Sequence, residues 1–233
     1  MKIFVGTSGW YYEWNKDKTL DWYLENSDLN AVELNASFYR FPFPNQVKSW
    51  TKKGKSLHWI IKVNRLITHQ FKFSERSFNT WQKFFDLFSD MHKMIDYFLF
   101  QLPPKFTARS KNLIEKFLKK TKMTNKFALE PRNESWFNKD MIKWAKSLGI
   151  TWVSIDAPEF THEIFKTTSD IYVRIHGRTD WYHHNYSNRE LKEIAQRAVG
   201  TKARRIYVFF NNNHNMLTNA QNMRKILEDK GGK

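Results

Sequence analysis

Eight short apolar runs recur along the chain, each of strand length and each ending in polar residues that, in most of them, sit two apart. Ile3-Phe4-Val5 leads into Thr7-Ser8, Val32 into Glu33 and Asn35, Ile60-Ile61 into Lys62 and Asn64, and Phe98-Leu99-Phe100 into Gln101. Ala128-Leu129 leads into Glu130 and Arg132, Val153 to Ile155 into Asp156, Tyr172-Val173 into Arg174 and His176, and Val208-Phe209-Phe210 into Asn211. Residues two apart share one face of a strand. Charged groups are costly to bury without partners, so the repeat predicts that each strand delivers its last polar groups to one shared, solvated place.

Between the runs lie segments with helical spacing, clearest at Phe78 to His92, Ser110 to Lys120, Lys139 to Leu148, Ser187 to Ala198 and Thr218 to Leu227. Ser187 with Glu190 reads as a capping box, and Gly149 as a helix stop. Alternating strands and helices imply a parallel sheet. Eight such strands close as a (β/α)8 TIM barrel, and 233 residues suit one barrel as a single domain over 1–233. An open doubly wound sheet would need a Gly-rich phosphate turn after its first strand, which Gly6-Thr7-Ser8-Gly9-Trp10 is not. The stretch between Asp156 and the seventh strand is short and contains Pro158, so the unit between strands 6 and 7 is expected to be degenerate.

The chain has no cysteine, which rules out disulfides, thiolate metal sites and cysteine nucleophiles. Its net charge of +16 favours anionic partners, either a phosphorylated small molecule or nucleic acid. No apolar stretch approaches a membrane span and no signal segment is evident, so a cytoplasmic protein without a membrane partner is expected. Aromatic residues make up 17% of the chain, and several flank the polar strand ends: Trp10, Tyr11, Tyr12, Trp14, Phe38, Tyr39, Trp136, Trp181, Tyr182 and Tyr186. Most aromatic rings serve packing; rings at a site stack on a base or a sugar.

These residues carry a resemblance. Gly6-Thr7-Ser8-Gly9-Trp10 with Tyr12 and Trp14, Val32-Glu33-Leu34-Asn35 with Ser37-Phe38-Tyr39-Arg40 and Pro42, and Lys62 with Ile67-Thr68-His69 are similar to motifs of the YecE-like family, domain of unknown function 72. So are Gln101-Leu102-Pro103-Pro104 with Phe106, Glu130 with Arg132, Ser135 and Trp136, Tyr172 to Gly177 with Tyr186-Ser187, and Phe210-Asn211-Asn212. The resemblance spans nearly the whole chain and implies a TIM barrel, without implying a reaction. Two segments depart from the family pattern: the stretch between Trp14 and Val32 is short, and Asn213-His214-Asn215-Met216 differs after the double asparagine.

In barrels of this type the active site lies at the C-terminal ends of the strands. The candidate catalytic residues are therefore Glu33, Glu130, Asp156 and His176. The candidate substrate-binding residues are Asn35, Tyr39, Lys62, His69, Gln101, Arg132, Trp136, Arg174, Tyr186 and Asn211. Carboxylates beside a neutral imidazole suit acid–base chemistry or a hard divalent metal, although no HxH or HExxH pair is present and no flavin or nicotinamide motif appears. Lys62, Arg132 and Arg174 would clamp an anionic group. This pattern predicts a hydrolase or lyase acting on an anionic phosphorylated or sugar-containing compound. Alternatives are a nucleic-acid-binding protein, such as an endonuclease IV-like repair nuclease, or a non-catalytic metabolite-binding barrel. A purely structural ion-pair network of Glu33, Glu130 and Asp156 with Lys62, Arg132 and Arg174 accounts for the same residues. Against it stands the cost of burying several charges compared with apolar packing.

Overall fold

The computed structural model describes residues 1–123 and 125–231. Eight parallel strands close into a barrel in sequence order: β1 (Lys2–Thr7), β2 (Ala31–Leu34), β3 (His58–Lys62), β4 (Ile95–Gln101), β5 (Phe127–Glu130), β6 (Thr151–Asp156), β7 (Asp170–Ile175) and β8 (Arg205–Phe210). The register of β8 against β1 runs from Arg205 opposite Lys2 to Phe210 opposite Thr7, so no sheet edge remains exposed. Seven α-helices among the described residues wrap the barrel: α1 (Leu20–Asn26), α2 (Pro44–Lys53), α3 (Glu75–Leu87), α4 (Lys111–Thr121), α5 (Lys139–Ser147), α6 (Asn188–Gly200) and α7 (Met216–Gly231).

The period-2 pattern of the strands divides the apolar residues into two cores. Phe4, Ala31, Ile60, Tyr97, Leu99, Ala128, Val153, Tyr172, Tyr207 and Phe209 fill the barrel interior. Their neighbours of opposite parity, such as Val5, Val32, Ile61, Phe98, Leu129, Trp152 and Val173, pack outward against the helices. The floor of the barrel is polar: the Tyr97 hydroxyl donates to Asp170 (2.6 Å), Arg205 donates to Asp170 (2.8 Å), and the Tyr207 hydroxyl donates to Asp96 (2.9 Å).

The helix boundaries follow local chemistry. Ser187 and Glu190 form the capping box of α6, and Gly149 takes φ +67° just beyond α5. Helices α1 and α2 lie outside the five clear periodic segments because their apolar stripes are thin: α1 buries only Leu20 and Tyr23, and α2 only Val47. Thr19 caps α1 by accepting from the Trp22 N–H, and Pro44 starts α2 at a position where no donor is needed. The segment 157–169 forms no helix. It is strapped along the outside of β6 instead, with the Thr167 hydroxyl accepting from the Trp152 N–H (2.8 Å) and Ser154 accepting from the Phe165 N–H (2.9 Å).

Gly6 faces the interior where β1 and β2 approach most closely. A Cβ there would lie 2.2 Å from the Ala31 carbonyl oxygen and 2.9 Å from the Phe209 ring. Because the obstacle is strand backbone, the Gly6→Ala variant is expected to lose about 2 kcal/mol or more of stability in urea denaturation, in line with overpacked cores. A loss near zero would show that β1 and β2 can separate at no cost.

Candidate functional site

The inward parity of the strands continues past their apolar layer and delivers polar groups to the C-terminal mouth. Glu33 from β2, Glu130 from β5 and Arg174 from β7 meet on the barrel axis, and all three are fully buried. Arg174 grips Glu33 with two parallel bonds, Nε to Oε2 at 2.9 Å and Nη2 to Oε1 at 2.5 Å, and reaches Glu130 Oε2 through Nη1 at 2.5 Å. The Ser8 hydroxyl (2.8 Å) and the Tyr172 hydroxyl (2.5 Å) also donate to Glu33. Charge-assisted bonds of this number and geometry are what a buried ion pair requires.

Arg132, two residues beyond Glu130, folds back to donate to its Oε1 and also to His176 Nε2 at 3.1 Å. A guanidinium has no lone pair to offer, so His176 accepts at Nε2 and carries its proton on Nδ1. The Asn211 Nδ2 is placed 3.2 Å from that Nδ1, and a protonated Nδ1 requires the amide to be turned over so that its oxygen accepts. Burial, together with the positive charges of Arg132, Arg174 and Lys62, pushes the His176 pKa well below the ordinary imidazole range. Burial alone would raise Glu130, but Arg132, Arg174 and Lys62 outweigh it and hold the carboxyl at about 2. Burial works against the charge on Arg174 also, and the two carboxylates overcome it and raise its pKa.

Lys62 ends β3 beside this cluster. Its ammonium lies 4.3 Å from the Phe38 ring centre and, among the described residues, has no hydrogen-bond acceptor. Burial and the nearby Arg174 lower its pKa from 10.5 to about 7, against the opposing pull of Glu130 and Glu33. Charge balance explains the direction: Glu33 and Glu130 offset Arg174 and Arg132, so a proton on Lys62 is the surplus positive charge. The amine opens into a cavity of about 480 Å³ lined by Phe38, Tyr39, Arg65, His69, Gln101 and Tyr182. His69 accompanies it on the loop after β3, its pKa lowered to about 4 by burial and by Lys62.

The structure thus gathers Glu33, Glu130, Arg132, Arg174, His176 and Asn211 into one network and places Lys62, His69, Gln101 and Tyr39 around the adjoining cavity. Asn35 lies on the same face, at a neighbouring cleft. Three expected residues do not join. Asp156 has the outward parity of Trp152 and Ser154, because Val153 is the residue that fills the interior. Its carboxylate instead receives the Tyr186 hydroxyl (2.6 Å) and lies 3.3 Å from Arg178. Tyr186 is accordingly a loop anchor, accepting from the Gly177 N–H at 3.0 Å. Trp136 is buried in the outer core, its indole N–H donating to the Phe106 carbonyl (2.8 Å). Of the three cations expected to clamp an anion, Arg174 and Arg132 are engaged by carboxylates, and Lys62 lines the cavity together with Arg65. Arg65 was not signalled by strand parity, because it starts the short helical turn beyond Asn64. Ser8 and Tyr172 were within reach, since each lies at inward spacing on its own strand.

The roof is the loop after β7. Trp181 covers the Arg132 guanidinium at 4.8 Å and the His176 ring at 5.4 Å, while the Tyr182 N–H donates to the His176 carbonyl at 2.6 Å. Gly177 makes this turn possible with φ +124°, where a Cβ would lie 2.2 Å from the Asp180 carbonyl oxygen. Among the described residues no group of three or more His, Asp or Glu is placed to hold a metal ion, and no helix is long and apolar enough to cross a membrane.

A closed parallel barrel with a polar centre at the C-terminal mouth defines the molecule as a TIM-barrel protein. The chain belongs to the family described as protein of unknown function DUF72, whose model matches residues 4–233. A DUF72 protein from Thermotoga maritima superposes with a TM-score of 0.81 at 25% identity, covering 98% of this chain and 100% of that one. One from Enterococcus faecalis superposes with a TM-score of 0.78 at 23% identity, covering 97% of this chain and 98% of that one. No curated protein matches the chain.

Removing the central cation should be severe. The Arg174→Met variant leaves Glu33 and Glu130 buried without their shared partner, and a loss of about 3–5 kcal/mol in urea denaturation at pH 7 is expected. The loss should shrink below about pH 5, where carboxyls left without a cation protonate. A variant as stable as the parent at pH 7 would contradict the pairing.

Proposed function

We propose that the protein is an enzyme, a hydrolase or lyase acting on a small anionic compound, phosphorylated or sugar-containing, with Lys62 as the group that moves the proton. The carrying observation is a buried lysine that, among the described residues, has no hydrogen-bond acceptor and lines a cavity of about 480 Å³; burial and Arg174 bring its pKa down to about 7. Structural lysines are solvated or paired; a desolvated one in a cavity is the usual form of an acid–base lysine. Arg65 and His69 on the same loop and Gln101 from β4 supply the binding contacts.

The charge balance suggests the cycle. In the empty site Lys62 is divided between amine and ammonium at pH 7. An arriving anion favours the ammonium, so binding takes up a proton and converts Lys62 into an acid pointed at the bound molecule. Donating that proton to a leaving oxygen serves hydrolysis or elimination, and the resulting amine serves as base for the next step. Glu130, Glu33 and Arg174 would not exchange protons in this scheme; they fix the field that sets Lys62. This scheme moves the acid–base role from Glu33, Glu130, Asp156 and His176, where the sequence pattern placed it, to a residue expected only to clamp an anion.

The Lys62→Met variant separates the catalytic role from a structural one. A lysine with a folded pKa of about 7 against 10.5 opposes folding, since the unfolded chain holds a proton that the folded chain gives up between those pH values. Wild-type stability should therefore rise with pH across that window. The Met variant should be the more stable protein at pH 7 and below, by a few kcal/mol at roughly 1.4 kcal/mol per pKa unit, and the difference should vanish above pH 10.5. Turnover, screened with a panel of sugar phosphates, should fall by about 10²-fold or more in the same variant. Full turnover in a folded Lys62→Met protein would refute the proposal.

A further inference from the structure

The exposed aromatic residues are not scattered over the molecule. Apart from Met1, the large hydrophobic side chains that remain exposed are Tyr11 (72%), Tyr39 (66%), Phe43 (61%) and Tyr182 (37%), and all four lie on loops leaving the C-terminal ends of strands β1, β2 and β7. Tyr11 and Tyr39 line a second cleft, of about 620 Å³, together with Trp10, Trp50, Asn35 and Lys18. Tyr39 is also a wall of the Lys62 cavity, so the two spaces are neighbours on one face of the barrel.

The cleft has the features of a site for a flat ring. Tyr39 meets Phe38 at right angles, at 5.1 Å, and Lys18 lies over one face of Tyr11, 5.4 Å from its ring centre; the high exposure of both tyrosines leaves ring surface open to a ligand. On the floor, Asn35 Oδ1 is shielded from solvent and has no hydrogen-bond partner among the described residues. A buried amide oxygen without a donor calls for one, and the edge of a nucleobase offers N–H donors beside acceptors, matching an amide group. Base stacking on aromatic rings supplies affinity without demanding a particular base. Arg65 and Lys62 lie beyond the shared wall, where a phosphate attached to the ring through a sugar would reach them.

We propose that the two spaces form one site for a nucleoside monophosphate, with the base between Tyr11 and Tyr39, its edge on Asn35, and the phosphate toward Arg65 and Lys62. The inference rests on the reading of the Lys62 cavity as an anion site. It adds what that reading leaves open, namely the nature of the rest of the substrate.

Calorimetric titration of the full chain with the four ribonucleoside monophosphates, ribose 5-phosphate and a short single-stranded oligonucleotide tests it. At least one nucleotide should bind roughly tenfold or more tightly than ribose 5-phosphate, the difference being the base. The Tyr11→Ala and Asn35→Ala variants should each reduce nucleotide affinity toward that of ribose 5-phosphate while leaving ribose 5-phosphate binding as it is in the parent. Equal binding of nucleotide and ribose 5-phosphate would overturn the base cleft and leave the anion site standing. A base-dependent affinity untouched by both substitutions would place the base elsewhere, also overturning it. Binding of the oligonucleotide without any mononucleotide would overturn it in favour of a strand-binding face, and failure of every phosphate compound to bind would remove the anion site and this inference together.

Discussion

Arg174 is the group on which the upper half of the barrel depends. It starts on β7, crosses the axis, and holds carboxylates from β2 and β5, strands that are not neighbours in the closed sheet. Apolar side chains could fill that volume, and for stability alone a well-packed hydrophobic layer is usually as good as a buried ion network or better. What an apolar layer cannot do is impose a strong, fixed potential on an adjoining group. Here that group is Lys62, whose ammonium feels Arg174 from one side and the dry wall of the barrel from the other.

The same arrangement explains why the barrel is polar at both ends and apolar between. The interior layer of Ile60, Leu99, Ala128, Val153 and Phe209 separates the Asp170–Arg205 pair at the floor from the Glu33–Arg174–Glu130 bridge at the mouth. Each polar layer is satisfied by tyrosines projecting from the barrel strands. Tyr97 and Tyr207 donate at the floor, and Tyr172 donates at the mouth. Burial and the neighbouring carboxylates raise the pKa of Tyr172 well above the ordinary phenol range, which keeps it a donor.

Much of this was legible in the strands. Spacing of two predicted that Glu33, Glu130, Arg174 and His176 share a face, because all four continue an inward apolar parity. It failed at Asp156, where the inward residue is Ile155 and the carboxylate follows it by one, so that a single step in register turned the side chain toward the helices. The protonation roles were not legible at all. A glutamate and a lysine look equally capable of acid–base work in sequence; only burial and the three-dimensional count of neighbouring charges show that the Glu130 carboxyl is held low by its cations while the Lys62 pKa is brought down. Arg65 was hidden for a different reason. It sits beyond the strand end, at the start of a short helical turn, where strand spacing no longer connects position to direction.

The net charge of +16 acquires a more definite meaning once the paired groups are set apart. Arg174, Arg132 and Arg178 are committed to carboxylates, so they contribute little to any field outside the mouth. Besides Lys62, the cations Lys18, Arg40 and Arg65 line the clefts at the opening beside exposed tyrosines and, among the described residues, have no ion pair. In the function proposed above, a mouth with this composition would attract anions from a distance and then select those that can also stack. Long-range attraction of this kind is screened within about 8–10 Å at physiological salt, whereas ring stacking and a desolvated lysine are not. On that proposal, discrimination between anions would come from the aromatic cleft and the Lys62 cavity, and the surplus charge would set only how often an anion arrives.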